Sequence, residues 1–540
     1  MDTLNPVDDP LDLFSRGSLA SYDTITGLVA EYQSLVRKID HIAGIMSPEL
    51  RVALAYFIEG NTEKDSRSVD VERLLRKKGA IAALDATFWQ RAMEMTAILD
   101  IMPQARRDTW YESIREKKCP HFEEKVVRDT FAELMAMRVK FLAERVDGIF
   151  SGLSGEHVTN SPAAFGKRMI ISGVTGFYDF QKTGLINDLR CVVAKLMRRD
   201  EPKHNSSSAL IRSLKGNYGQ WVPVDGGALK IRLYMKGTAH LEVHPDMAWR
   251  LNAILHTLHP RAIPPEHRQK PRRQPKEVAM LQRLLPFAVV EVLADMEEAS
   301  QFVDTGDWQH PHRRELIPMA MAIPYRSANP GKAVMLQVRQ VLESIGGVEM
   351  EYGWQFDYQP KPVIQQIVAL GAVPDEKAHQ FYPTPAAVAQ ACLELAEIGP
   401  GHSCLEPSAG LGGLSDLMPK ERTLCVEIAP LRCEVLRAKG YQAVAADFLQ
   451  WAEANKLRRF DRIVMNPPFD QGRWRAHLGA AASLLAEDGI LVCVLPASAK
   501  NKELLEGFAV EFPRVFDNAF AGTSASVTIA VATRKKGAGR

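Results

Sequence analysis

The sequence predicts an α/β fold in two parts: a mostly helical α+β region, then a C-terminal domain built on strands that alternate with helices. Three observations carry this. Near the C-terminus, short apolar runs end one after another in polar or glycine-rich turns: Ser403-Cys404-Leu405, Thr423-Leu424-Cys425-Val426, Ala443-Val444-Ala445 and Arg462-Ile463-Val464-Met465. From about Leu13 to Leu153, apolar residues recur at helical spacing, as in Val126, Val127, Thr130, Phe131, Leu134, Met137, Phe141, Val146 and Ile149. From Ala228 to His244 the period changes to two, and Lys236-Gly237-Thr238 supplies a hairpin turn.

Taken in order, residues 1–260 form a helical to α+β module whose function the residues do not disclose. A helix is expected over Gly184–Arg198, then the hairpin near 228–244, then a helix from about Pro245 to His256. His240, Glu242 and His244 alternate with Leu241 and Val243 and so share one face of the second hairpin strand. That face reads as a polar edge, with a metal site as the rarer alternative; no metal is assigned. Residues 261–276 carry six Lys/Arg against one acid, with Pro264, Pro265, Pro271 and Pro275. This is the composition of a semi-rigid basic linker, either a phosphate-tracking arm or a solubilising hinge. Residues 277–375 read as a connecting helical region that runs through Glu349-Met350-Glu351-Tyr352-Gly353-Trp354 into the last domain, 376–540.

The chemistry gathers in that last domain. Asn466-Pro467-Pro468-Phe469 follows a buried strand; two prolines fix φ and remove two backbone donors, which leaves acceptors and an aromatic ring facing outward. Two acceptors and a ring suit the exocyclic amino group and the face of a flat base. Upstream, Glu406-Pro407-Ser408-Ala409-Gly410-Leu411-Gly412-Gly413 is a glycine-rich turn after a strand, where backbone can approach a ligand closely, and a helix is expected after it. The next strand ends in Glu427, 17 residues after Gly410, the usual distance for an acid that accepts from ribose hydroxyls. The one after ends in Asp447-Phe448, an acceptor beside a stacking ring.

On these motifs, residues 376–540 resemble the class I, S-adenosylmethionine-dependent methyltransferases, most closely the DNA adenine-N6 type. The resemblance implies a Rossmann-like seven-stranded domain with S-adenosylmethionine as cofactor. It implies that Phe381, Tyr382 and Thr384 lie at the methionine end of the cofactor, that Glu406, Ser408, Gly410 and Gly412 belong to its glycine loop, that Glu427 binds ribose, and that Asp447 and Phe448 bind adenine. Asn466, Pro467, Pro468 and Phe469 match the catalytic tetrad. Ala486 to Pro496 is similar to the helix-turn-strand that follows, and Phe520-Ala521-Gly522-Thr523-Ser524 to a late loop walling the target pocket. The implied partner is DNA, double-stranded, with the target base flipped out of the helix. The hairpin and its helical lead-in are similar to an uncharacterised module found ahead of adenine methyltransferases of phages and mobile elements. That setting implies an orphan enzyme protecting its DNA from restriction. The sequence ends soon after its last strand, so no target-recognition domain follows it there; site choice is expected from the N-terminal blocks or to be lax.

Composition bounds the alternatives. At 46% hydrophobic and 24% charged residues the chain reads as an ordinary globular protein, and a net charge of +2 leaves any nucleic-acid footprint to local patches. No apolar run approaches the roughly 18 residues of a membrane span, and the acidic start is no signal peptide. The seven cysteines show no C-x-x-C and no Pro-Cys context, which reads as reduced thiols in a cytoplasmic protein and as no nucleophile for carbon methylation. RNA guanine-N2 or DNA cytosine-N4 methylation, protein glutamine methylation, and a catalytically inert nucleic-acid-binding or anti-restriction protein remain as alternatives.

Overall fold

The computed structural model describes residues 22–61, 73, 75–96, 98–153, 160, 164–166, 168–175, 180–261, 263–270, 280–281, 283–304, 312–324, 330–373, 382–500, 502–520 and 526–535. The chain divides between Gln282 and Arg283 into two compact units. The linker expected over 261–276 falls at the end of the first; its stretch 271–276 lies outside the described residues.

In the first unit, the helical periodicity becomes helices Tyr22–Ile45, Lys77–Met95, Gln104–Arg115, Glu124–Ala136 and Arg138–Ser151. The expected apolar stripe is their seam: Val127, Phe131, Leu134 and Phe141 pack with Tyr32, Phe88, Trp89 and Phe122. Such mutual burial stabilises each large side chain by roughly 1.5–3 kcal/mol. Helix Phe180–Leu196 carries Asp188, 1% exposed, whose Oδ1 lies 3.0 Å from Arg107 Nη2 and 3.4 Å from Arg145 Nε. Asp188 thus ties three helices at a point where all three side chains are buried.

The hairpin belongs to a four-stranded antiparallel sheet of β1 (Arg168–Ser172), β2 (Val222–Val224), β3 (Leu229–Leu233) and β4 (Thr238–Val243), in the order β1-β4-β3-β2. Gly237 makes the turn at φ +84°, a conformation L side chains rarely adopt, and its N–H closes on Tyr234 O. The second hairpin strand is central, paired with β1 on one side and β3 on the other, and the face carrying His240, Glu242 and His244 is the more polar and more exposed of its two. The polar trio on it has structural partners. His240 packs on the Tyr234 ring, Glu242 pairs with Arg168, and His244 caps helix Pro245–Leu258 by accepting from Asp246 N–H.

The second unit holds two sheets. The region expected to be helical contains helices Phe287–Asp295, Lys332–Ser344 and Lys361–Leu370, and also an antiparallel sheet of β5 (Glu297–Asp304), β6 (His312–Ala322), β7 (Val348–Met350) and β8 (Gly353–Gln355), ordered β5-β6-β8-β7. The sheet was hidden because Phe302 and Leu316 are solvent-exposed, so β5 and β6 lack the apolar-in, polar-out alternation that marks a strand.

The larger sheet comprises β9 (Cys404–Pro407), β10 (Thr423–Glu427), β11 (Gln442–Ala445), β12 (Phe460–Met465), β13 (Leu485–Pro496), β14 (Phe508–Phe516) and β15 (Val527–Arg534). Its order is β11-β10-β9-β12-β13-β15-β14; β9 to β13 are parallel and β15 runs antiparallel to both neighbours. This is the Rossmann-like seven-stranded arrangement. Strands β9, β10 and β12 are almost wholly buried, which is why they read as continuous apolar runs.

Two local expectations fail. The glycine turn leads into a single 3₁₀ turn, Ser415–Leu417, not a helix, because Pro419 follows and cannot continue one. Ala486–Pro496 is not a helix-turn-strand: the helix Arg473–Ser483 has already ended, and Leu485–Pro496 is one strand whose pairing skips from Phe460↔Leu485 to Arg462↔Ile490.

The two layers of this unit share a core. Val289, Leu293, Val341, Trp354 and Ile364 pack with Leu431 and Val435 of helix Pro430–Ala438, which follows β10.

Candidate functional site

The strand order reverses between β9 and β12, the switch point at which the loops after the strands part and open a crevice at their carboxyl ends. A cavity of about 650 Å³ occupies this crevice. Tyr382, Thr384, Glu406, Ser408, Gly410, Glu427, Asp447, Phe448 and all of Asn466 to Phe469 line it, so one space gathers residues spread over some ninety positions of sequence. Phe381 and the loop Ala521–Ser524 lie outside the described residues; Phe520, just before that loop, is buried in the wall.

The glycine loop is shaped by its backbone. Ser408 and Gly410 both take positive φ, +60° and +59°, and Gly410 N–H donates to Glu427 Oε2 at 2.8 Å. Gly412 does not line the cavity. At φ +94°, any Cβ there would sit 3.1 Å from Ser415 Oγ and 3.2 Å from Asp416 Oδ1, so its place is to let the chain fold back.

Carboxylates dominate the charge. Glu427, 4% exposed, accepts from Gly410 N–H through Oε2 and from Ala429 N–H through Oε1, with Arg432 at 3.8 Å. Each carboxylate oxygen has further lone-pair capacity for a donor in the cavity. Glu406 is 2% exposed and accepts from Ser415 N–H at 2.8 Å. Burial pushes its pKa up to about 8, with Asp416 and Glu427 adding to the rise. Asp447 caps helix Phe448–Ala454 by accepting from Gln450 N–H, and Phe448 stacks on Trp451. A wall with this many acceptors, one of them costly to ionise unaided, suits a ligand with donors and positive charge.

At the end of β12, Asn466 Nδ2 donates to Thr384 Oγ1 at 3.2 Å. Committing the amide nitrogen to Thr384 fixes which way the amide points and reserves Oδ1 as the acceptor. Phe469 is partly buried against both cores that flank the sheet.

Several wall residues were not foreseen: Asp416, Arg432, Lys439, Asp470, Arg473 and His477. His477, 7% exposed on helix Arg473–Ser483, has Nδ1 3.3 Å from Ser408 Oγ and its ring against Phe448. Burial holds its imidazole below the ordinary value, with Asp447 opposing the shift. Its only trace in the sequence is a position three residues after Trp474 on the buried helix face. Lys439 Nζ lies 2.8 Å from Asp357 Oδ2 and 2.7 Å from Asp416 Oδ2, a contact that joins the connecting layer to the cavity wall.

Comparison with known proteins gives the following. A family described as "Domain of unknown function (DUF4942)" matches residues 81–260. No curated protein matches the chain. Among solved structures, TrmN from Thermus thermophilus is similar at 23% identity and a TM-score of 0.24, over 28% of this chain and 49% of that one, so the match spans about half of it. Precorrin-6y C5,15-methyltransferase from Geobacter metallireducens is similar at 20% identity and a TM-score of 0.23, over 28% of this chain and 88% of that one. A TehB-like SAM-dependent methyltransferase from Corynebacterium glutamicum is similar at 19% identity and a TM-score of 0.21, over 27% and 88% respectively. No described helix is long and apolar enough to cross a membrane.

Proposed function

We propose that the chain is an S-adenosylmethionine-dependent methyltransferase acting on the N6 amino group of adenine in DNA. The observation that carries this is the Asn466–Thr384 hydrogen bond inside a cavity that also holds the glycine loop, Glu427 and Asp447. The residues fit the cofactor. Glu427 can accept from ribose hydroxyls, Asp447 and Phe448 meet an adenine edge and face, and the carboxylates of Glu406 and Glu427 complement a cation. When bound, the cofactor supplies an electrophilic methyl group.

The protein then supplies alignment and electrostatics. Adenine N6 is a poor nucleophile because its lone pair is delocalised into the ring. Asn466 Oδ1, with its amide oriented by Thr384, accepts a hydrogen bond from one amino N–H and draws the nitrogen toward a pyramidal, reactive state, while Phe469 stacks on the flipped base and offsets part of the few kcal/mol that flipping costs. No covalent nucleophile is needed, and no cysteine lines the cavity. The setting we infer, an orphan methyltransferase of a phage or mobile element, rests on the resemblance of the N-terminal module alone.

The test is methyl transfer from labelled S-adenosylmethionine to unmethylated duplex DNA, with nucleoside mass spectrometry of the product. N6-methyladenine is the expected product. Label found in guanine of RNA, or in cytosine, would replace the proposed substrate, and tight cofactor binding without transfer to any nucleic acid would remove it.

A further inference from the structure

The β1-β4-β3-β2 sheet has two unlike faces. Met169, Leu229, Ile231, Leu233, Ala239, Leu241 and Val243 point into the core and are at most 2% exposed. On the other face, pairing sets Glu242 between Arg168 and Lys230, and His240 between Arg232 and the buried Ile170. Val222 pairs with Ile231, so Trp221, one residue earlier, falls on the outward side next to Arg232.

These side chains form an alternating cation–aromatic surface. Arg168 reaches across the sheet to lie 5.2 Å from the Trp221 ring centre, Arg232 lies 5.1 Å from Tyr234, and the Tyr234 and His240 rings are 4.5 Å apart. Three cations face one acid, and that acid is taken by Arg168 at 2.6 Å. Lys230 makes no ion pair among the described residues. Arg232 Nε is buried with no hydrogen-bond partner.

We propose that this face binds single-stranded DNA. The bases stack on Trp221 and Tyr234, and phosphates meet Lys230 and Arg232. A flat sheet face with spaced aromatics and surplus cations matches the two demands of a single strand, an exposed π-face on every base and one negative charge per nucleotide. The choice of DNA over RNA rests on the function proposed above; the binding itself does not.

The test is fluorescence anisotropy of a labelled single-stranded oligodeoxynucleotide titrated with the full chain over a range of salt. Trp221→Ala is expected to weaken binding about 10- to 100-fold, with Trp221→Phe restoring most of it. Lys230→Gln with Arg232→Gln is expected to lower the slope of log affinity against log salt by about 1.4. Arg232→Lys, which keeps the charge and the fold, is expected to retain the slope. Unchanged affinity and slope in these variants, or displacement of the strand by polyglutamate as readily as by unlabelled strand, would overturn the proposal; equal or tighter binding of RNA would overturn the choice of DNA. Asn466→Ala separates the two readings, since it is expected to lower transfer about 10²- to 10³-fold and leave strand binding intact. Strand binding that depends on Trp221 in a protein that methylates no DNA would remove the proposed activity and keep this surface.

Discussion

The β9–β15 sheet is covered on both faces and concentrates its polar chemistry in one cavity at the strand ends, whereas the β1–β4 sheet buries one face and spreads its polar groups over the other. The charges are opposite as well. In the cavity wall Glu406, Asp416, Glu427, Asp447 and Asp470 outnumber Arg432, Lys439 and Arg473, while the outward face of β1–β4 sets Arg168 and the half-exposed Lys230 and Arg232 against Glu242. The difference shows how sheet type limits function. A parallel sheet under two helical layers exposes only its ends, so its chemistry must be enclosed and exact; an antiparallel sheet with one wet face can offer an extended, tolerant surface.

Four substitutions test this contrast. The largest effect is expected in the first unit, where chemistry is not involved. Asp188→Ala leaves the Arg107 and Arg145 guanidiniums buried without their shared carboxylate and should destabilise the protein by about 3–5 kcal/mol in a denaturant titration. A loss below about 1 kcal/mol would show that water reaches this point.

Next is the cavity. Asn466→Ala should lower kcat about 10²- to 10³-fold with cofactor affinity unchanged, read by methyl transfer alongside calorimetry. A fall in cofactor affinity of the same size would instead make Asn466 part of the cofactor site.

Third is a pH dependence confined to the enclosed sheet. Glu406 has a folded pKa of about 8 against an ordinary 4.5, so between those values the folded protein holds a proton that the unfolded chain has released. Its contribution is fully present below about pH 4.5 and is lost as pH rises through about 8. The slope is at most about 1.4 kcal/mol per pH unit, and Glu406→Gln should flatten it. A cationic ligand favours the ionised form, so its affinity should rise with pH over the same range. An unaltered pH–stability curve in the Gln variant would show that another group carries the slope.

The smallest effect is expected of Thr384→Val, which removes the hydroxyl that orients Asn466. About 0.5–1.5 kcal/mol of barrier, a few-fold in kcat, should be lost, with no change in melting temperature. A loss as large as that of Asn466→Ala would make Thr384 itself a participant.

The enclosed site was largely legible because buried parallel strands are written as apolar runs, and Glu427, Asp447 and Asn466 are the first polar residues after three of them. The apolar runs and the residue types that end them brought out these positions, and the resemblance to a family suggested their roles. What stayed hidden came from packing between distant segments. His477 reaches Ser408 from a helix after the tetrad, and Lys439 meets Asp357 across some eighty residues of chain. The β5–β8 sheet was illegible because its longest strands carry apolar side chains into solvent. The cation–aromatic face of β1–β4 was legible only in fragments, since the sequence shows the polar side of one hairpin but not that β1 and β2 extend that side with Arg168 and Trp221.

Lys439 between Asp357 and Asp416, together with Leu431 and Val435 in the core of the β5–β8 layer, bears on how this chain can be cut and recombined. A fragment beginning at Glu376 would carry every motif of the cavity yet strip the outer flank of helix Pro430–Ala438 and leave Asp416 to hold its lysine alone. The compact unit that holds the cavity begins at Arg283. Any graft of this cavity onto another protein therefore has to bring the preceding ninety residues as its foundation.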